Sequence, residues 1–251
     1  MQANLLASKP VWNRNGAINT LQTSDLPIHG WYRFVLSYPP HLVRQYASVF
    51  GLSPTDLLLD PFCGTGTTLV GAKKNSIPSV GCDAHPFAVL ASSVKSNWML
   101  NTKQLRDCFR QILRQAERIM SKEGLESLSF AARMLQEPFD TTATDLALSE
   151  EEQKLLPTGF MSARPLRRLL VLRDKIEEWT KDLPTEVRNF FFLALAHVIA
   201  NGAGNFAFGP EIYRTKPKRD YDVLGHFARR CDTMMNDLVR FQSPPPNSCP
   251  K

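Results

Sequence analysis

Cysteine is scarce in this chain. The five present, Cys63, Cys82, Cys108, Cys231 and Cys249, are odd in number, scattered and never in a C-x-x-C pair. That excludes a disulfide scaffold, argues against a zinc site or any other metal, and points to a reducing, cytoplasmic setting. Long apolar runs are also missing. The longest, Phe190–Ala200, has eleven residues and contains His197. A membrane span needs about 20, so no membrane role is expected and the run reads as a buried helix. No signal-peptide pattern is visible in the polar stretch Met1–Leu21, and no internal repeat occurs. The phosphate-loop patterns G-x-x-x-x-G-K-[ST] and G-x-G-x-x-G are both absent, which makes a P-loop NTPase a poor fit.

The 251 residues suit one large domain or two small ones. A hydrophobic share of 43% and a charged share of 22% are those of a soluble globular protein. The net charge of +6 permits a polyanionic partner without requiring one.

The most informative stretch is Leu57-Leu58-Leu59-Asp60-Pro61-Phe62-Cys63-Gly64-Thr65-Gly66-Thr67-Thr68. An apolar run ends in a carboxylate, a turn of small residues follows, and a helix-compatible segment comes next. Nineteen residues after Gly64, a second run, Ser79-Val80-Gly81-Cys82-Asp83, ends in another carboxylate. A nucleoside cofactor needs this pair: a loop whose glycines let backbone pass close beneath it, and an acid to hold ribose hydroxyls. The order predicts strand Asp56–Asp60, helix Thr67–Asn75, strand Ser79–Asp83 and helix Pro86–Asn97, a right-handed βαβ unit with parallel strands. Cys63, with no basic partner in view, reads as a small apolar filler.

Around this core, residues 1–28 read as an extended arm and 29–98 as the cofactor-binding α/β unit. Within the latter, His41–Phe50 is a helix with Val43, Tyr46, Ala47 and Phe50 on one face and Gly51 as its stop. Residues 99–241 read as mainly helical. Thr102–Ser121 is amphipathic with Thr102 as N-cap. Pro165–Thr180 follows, with Leu166, Leu169, Leu170, Ile176 and Trp179 as its core stripe and Arg164, Arg167 and Arg168 on its wet face. A central helix runs from Pro184 to about Asn201, Gly202–Lys218 is loop, and Asp220–Phe241 is a last helix. Residues 242–251 read as a disordered, proline-rich tail.

The wording at Asp60–Thr68 resembles the cofactor loop of S-adenosylmethionine-dependent DNA methyltransferases that modify exocyclic amino groups, commonly D-P-F-x-G-[ST]-G-T-T. Trp31-Tyr32-Arg33-Phe34 and Tyr38-Pro39-Pro40-His41-Leu42-Val43 upstream, and Gly81-Cys82-Asp83-Ala84-His85-Pro86 downstream, are similar to the same group. The resemblance is specific over residues 29–98 and looser to about 241. It implies a class I, Rossmann-like α/β fold with a parallel sheet and a large helical segment. It also implies S-adenosylmethionine as cofactor and DNA as partner. Asp60, Gly64 and Gly66 would line the methionine end, Pro61 and Phe62 would belong to the same cofactor-binding loop, Thr67 and Thr68 would meet the cofactor carboxylate, Asp83 would bind the ribose, and Ala84 to Phe87 would flank the adenine. Tyr38 and Pro39 would close over it.

Two elements of that family are missing. Only two strands are readable before a long helical stretch, so the sheet is expected to be incomplete. The catalytic tetrapeptide [DNS]-P-P-[YFW] is not found. Ser37-Tyr38-Pro39-Pro40 has its letters in the wrong order, and Ser243-Pro244-Pro245-Pro246 has proline in the aromatic slot. The catalytic residues are therefore unassigned. The expectation is methyl transfer to N4 of cytosine or N6 of adenine, this chain supplying the cofactor site, either as a truncated product or as one chain of a split enzyme whose second chain carries the catalytic half. An RNA or small-molecule methyltransferase, or a non-catalytic DNA- or partner-binding subunit, are the rival readings. The cations of Arg214-Thr215-Lys216-Pro217-Lys218-Arg219 read equally well as a phosphate-contacting patch or as a solvated loop.

Overall fold

A computed structural model describes residues 21–126, 148–208 and 211–242. It divides into two compact units, one up to Asn97 and one from Trp98. Most of the expected arm, residues 127–147 and the tail from 243, with its Ser-Pro-Pro-Pro stretch, lie outside the described residues.

In the first unit, the described end of the arm is coiled rather than extended: Thr23–Asp25 is a 3-10 turn and Leu26–His29 a helical turn. Helix α1 (Pro40–Val49) follows, started by a proline at its first position and stopped before Gly51 at φ +62°. It buries Val43 and Ala47, whereas Tyr46 and Phe50 stay in solvent and stack on each other at 6.2 Å. Strand β1 (Leu58–Asp60) leads through the glycine loop into α2 (Thr67–Lys74), then β2 (Ser79–Gly81) and α3 (Pro86–Ser96). The two strands are parallel neighbours, with Leu58 opposite Ser79 and Asp60 opposite Gly81. This is the expected βαβ unit, with shorter strands.

One face of this ribbon is covered. Leu58 packs on a cluster of Leu52, Ala47, Ala72 and Ile77. The alternate residues point the other way and stay wet: Leu57, Leu59 and Val80 are 68%, 65% and 52% exposed. Parallel sheets are ordinarily covered on both faces.

The second unit is helical, and its apolar centre is almost solvent-free. Helix α4 (Thr102–Lys122) buries Leu105, Cys108, Phe109, Ile112, Ala116 and Met120. Asn101, not Thr102, caps it, its carboxamide oxygen accepting from the N–H of Lys103 and Gln104. Then come α5 (Glu150–Leu155), α6 (Ala163–Thr180) and α7 (Thr185–Val198), which continues into a π turn at Ile199–Ala203. Part of the expected loop is an antiparallel hairpin, β3 (Phe206–Phe208) with β4 (Ile212–Arg214). Helix α8 (Val223–Gln242) closes the unit, burying Phe227, Cys231, Met234, Met235 and Leu238.

The arginines of α6 overturn the wet-face expectation. Arg164, Arg167 and Arg168 are all buried. Arg164 and Arg168 donate to the carbonyls of Gly124, Leu125 and Glu126, just past the end of α4. Arg167 forks onto the Glu123 carboxylate at 2.5 and 2.7 Å. A helix C-terminus offers unpaired carbonyls and negative potential, so cations can be buried there.

Candidate cofactor site

The site forms at the carboxyl ends of the two parallel strands, where open α/β sheets bind ligands. β1 delivers Asp60. Its carboxylate accepts the Phe62 N–H at 3.1 Å and the Thr68 hydroxyl, while Tyr38 donates to the same Thr68 oxygen. A chain Tyr38–Thr68–Asp60 thus ties the upstream segment to the strand end. Burial, first of all, raises the Tyr38 pKa, so the phenol keeps its proton for this bond.

The turn between Asp60 and α2 needs its glycines for different reasons. Gly64 has φ +51° and an added Cβ would meet nothing within 4 Å, so open space lies beside it. Gly66 has φ +81° and an added Cβ would lie 2.9 Å from the Cβ of Ser92, so the loop rests directly on α3. The Gly64 N–H donates to Asp83 Oδ2 at 2.9 Å, and the His85 N–H donates to Oδ1 at 2.8 Å. These two backbone bonds hold the Asp83 pKa below the usual carboxylate range. An ionised acid, fixed in orientation and reachable from solvent, therefore stands at the end of β2.

Asp60, Pro61, Phe62, Gly64, Gly66, Thr67, Thr68, Asp83 and Ala84 are accordingly gathered at one end of the ribbon. They are not equally available. Pro61, Phe62 and Ala84 are exposed, Thr67 is buried, and Thr68 is engaged with Asp60. Cys63 is buried, and burial pushes its thiol pKa up, as befits a filler rather than a nucleophile.

Further residues join the site. Tyr32 and Phe34 pack edge-on against Phe87 and His85, with Tyr32–Phe87 at 4.8 Å, so the segment after Asp83 has an aromatic wall. Lys95 of α3, fully buried, donates to the carbonyls of Thr65 at 2.6 Å and Tyr32 at 3.1 Å. One side-chain amino group thus holds the glycine loop, α3 and the upstream segment together. The Tyr32 wall could be suspected from the density of aromatics in residues 31–34. Lys95 had no sequence signal beyond a single lysine among Ala88, Ala91 and Val94.

The residues present fit S-adenosylmethionine. Two carboxylates suit a ligand with a sulfonium, an ammonium and vicinal hydroxyls, Gly64 leaves room for close approach, and the rings offer a face to a purine. Among the described residues no cluster of His, Cys, Asp and Glu could hold a metal, and no helix is long and apolar enough to cross a membrane.

Comparison with known proteins meets this geometry from another side. The chain is 37% identical over 86 residues to the type II methyltransferase M.BsoBI of Geobacillus stearothermophilus, a stretch that is 34% of this chain and 17% of that protein. It is 37% identical over 68 residues to the type II methyltransferase M.MjaII of Methanocaldococcus jannaschii, 27% of this chain and 13% of that protein. The matches thus span less than a fifth of either relative. No family model matches, and no solved structure does. The chain is related in sequence, over about a third of its length, to the type II methyltransferases named above.

Proposed function

We propose that this chain holds S-adenosylmethionine in a Rossmann-like α/β unit, and that it supplies the cofactor site for methylating an exocyclic amino group of a DNA base. The base atom would be N4 of cytosine or N6 of adenine. The single observation that carries the reading is the hydrogen bond from the Gly64 N–H to the Asp83 carboxylate. It joins the loop under the ligand to the acid beside it.

When bound, the cofactor supplies a methyl group activated by positive sulfur. The chain's own residues bind and orient. Asp83, held ionised by two N–H groups, accepts ribose hydroxyls. Asp60, steadied by Thr68, faces the cationic end. Tyr32, Phe34 and Phe87 flank the purine, and Lys95 fixes the loop from below. No described residue is assigned to activating the target amine. Ser37-Tyr38-Pro39-Pro40 is otherwise engaged, because Tyr38 is bound to Thr68 and Pro40 is buried at the start of α1. The proposal therefore places the catalytic motif outside the described residues, on the remainder of a longer chain or on a second polypeptide, with DNA as the substrate.

Titration calorimetry tests the cofactor reading. The chain should bind S-adenosylmethionine, and Asp83→Asn should weaken binding about 10- to 100-fold, the worth of a hydrogen bond to a charged group. A well-folded chain with no heat of binding would leave only the remnant reading. Methylation of DNA by the purified chain alone would overturn the need for a partner.

A further inference from the structure

The helical unit holds a second cleft that the cofactor reading does not use. At the end of α7 the backbone widens into the π turn Ile199–Ala203, a form that is rare and recurs at functional sites. His197 and Asn201 from this region form one wall of a cavity of about 260 Å³. His226, Arg229, Arg230 and Thr233, near the start of α8, form the other. Tyr221 forms part of the lining, its ring stacked on His226 at 4.5 Å. A Cβ at Gly202 would lie 1.9 Å from the Tyr221 hydroxyl oxygen, so the tyrosine can cross the π turn only over a glycine.

The chemistry of this cleft is one-sided. Its polar lining is guanidinium, imidazole, carboxamide and hydroxyl, with no carboxylate. Arg230 donates to Nε2 of His197 and so links the walls. Arg229 is exposed, and the Asp222 carboxylate stands 3.9 Å from it, at the outer limit of an ion pair. Lys218, from the basic cluster marked in the sequence, lies 5.9 Å over the Tyr221 ring and donates to the carbonyls of Gly202 and Gly204.

We propose that this cleft binds a phosphate group, and that the phosphate belongs to the backbone of duplex DNA. Adjacent guanidiniums match the oxygens of a tetrahedral anion. The cleft has room for one such group, and each backbone phosphate neutralised adds affinity by releasing counterions. The DNA assignment rests on the function proposed above; the cleft lies within the second unit, and its test uses no cofactor.

The full chain is titrated into a fluorescently labelled duplex of about 20 base pairs, and anisotropy is followed from about 50 to 200 mM salt. Arg229→Ala, and Thr233→Glu, which sets a carboxylate one turn from Arg229, should each weaken binding about tenfold. Each should lower the slope of log affinity against log salt by about 0.9. Arg110→Ala, which removes the same charge from an exposed pair with Asp107 on α4, should change neither. Thermal melts confirm folding, and Thr233 is exposed on its helix, so that variant stays informative if the Arg229 variant unfolds. Displacement of the duplex by inorganic phosphate only at millimolar concentration supports the DNA assignment; micromolar displacement assigns the cleft to free phosphate and overturns it. No binding at the lowest salt, or slopes in both variants equal to that of Arg110→Ala, also overturns it. Because cofactor affinity is measured separately, failure here leaves the cofactor reading standing, and the reverse.

Discussion

Lys95 concentrates much of the physics of the first unit in one side chain. Its pKa is lowered to about 7, first by burial and then by the charges of Arg33 and Lys74. In the unfolded chain it titrates at its ordinary 10.5. Between about pH 7 and 10.5 the unfolded state therefore holds a proton that the folded state has shed, and stability rises with pH across that window. The melting temperature should climb by several degrees between about pH 7 and 9, and Lys95→Met should flatten the climb; equal slopes in both proteins would refute it. The upper limit matters, because the buried thiols Cys63, Cys108 and Cys231 have raised pKa values and oppose the trend at higher pH. His29 works in a lower window. Burial first, then Lys74, Lys95 and Arg33, lowers its pKa to about 2, so stability falls as pH drops below its ordinary 6.5. This cationic neighbourhood could not be read from sequence, because it joins residues 29, 33, 74 and 95 only after folding.

At the scale of elements, α6 is held to the end of α4 by arginines rather than by apolar contact alone. Arg168 donates to Leu125, Glu126, Tyr221 and Asp220, and Asp220 is itself buried. Removing the cation takes away the nearest charge partner of this buried carboxylate, with Arg164 farther off at 3.8 Å. Arg168→Met should lower stability by about 3–5 kcal/mol in urea unfolding, and the double variant with Asp220→Leu should recover most of it. A loss below about 1 kcal/mol would mean that the pair is solvated. The arginines were misread because their spacing is that of a polar helix face, and their acceptors lie some 40 residues earlier at another helix's end. The βαβ unit was legible for the opposite reason. Leu57–Thr68 states apolar run, acid, glycine turn and helix start in unbroken order, and Asp83 follows at the right distance. The hairpin of β3 and β4 was read as loop because its strands are three residues long and β4 is exposed throughout, with no buried alternation.

Across the whole molecule the two units differ in how fully their apolar residues are covered. The helical unit has a continuous core, whereas the unit that carries the candidate chemistry rests on a two-stranded ribbon with Leu57, Leu59 and Val80 uncovered. A parallel ribbon with one bare apolar face and a free edge invites association. The chain should self-associate at high concentration, and Leu59→Lys should shift sedimentation toward monomer without lowering the melting temperature. A wild-type chain that sediments as a monomer throughout would count against this. Exposure also sorts the thiols. Of the four cysteines described, Cys63, Cys108 and Cys231 are buried and Cys82 is exposed. Among these four a maleimide therefore reaches Cys82 first, one peptide bond from Asp83, and the fold provides a built-in attachment point for a spectroscopic reporter beside the Asp83 carboxylate.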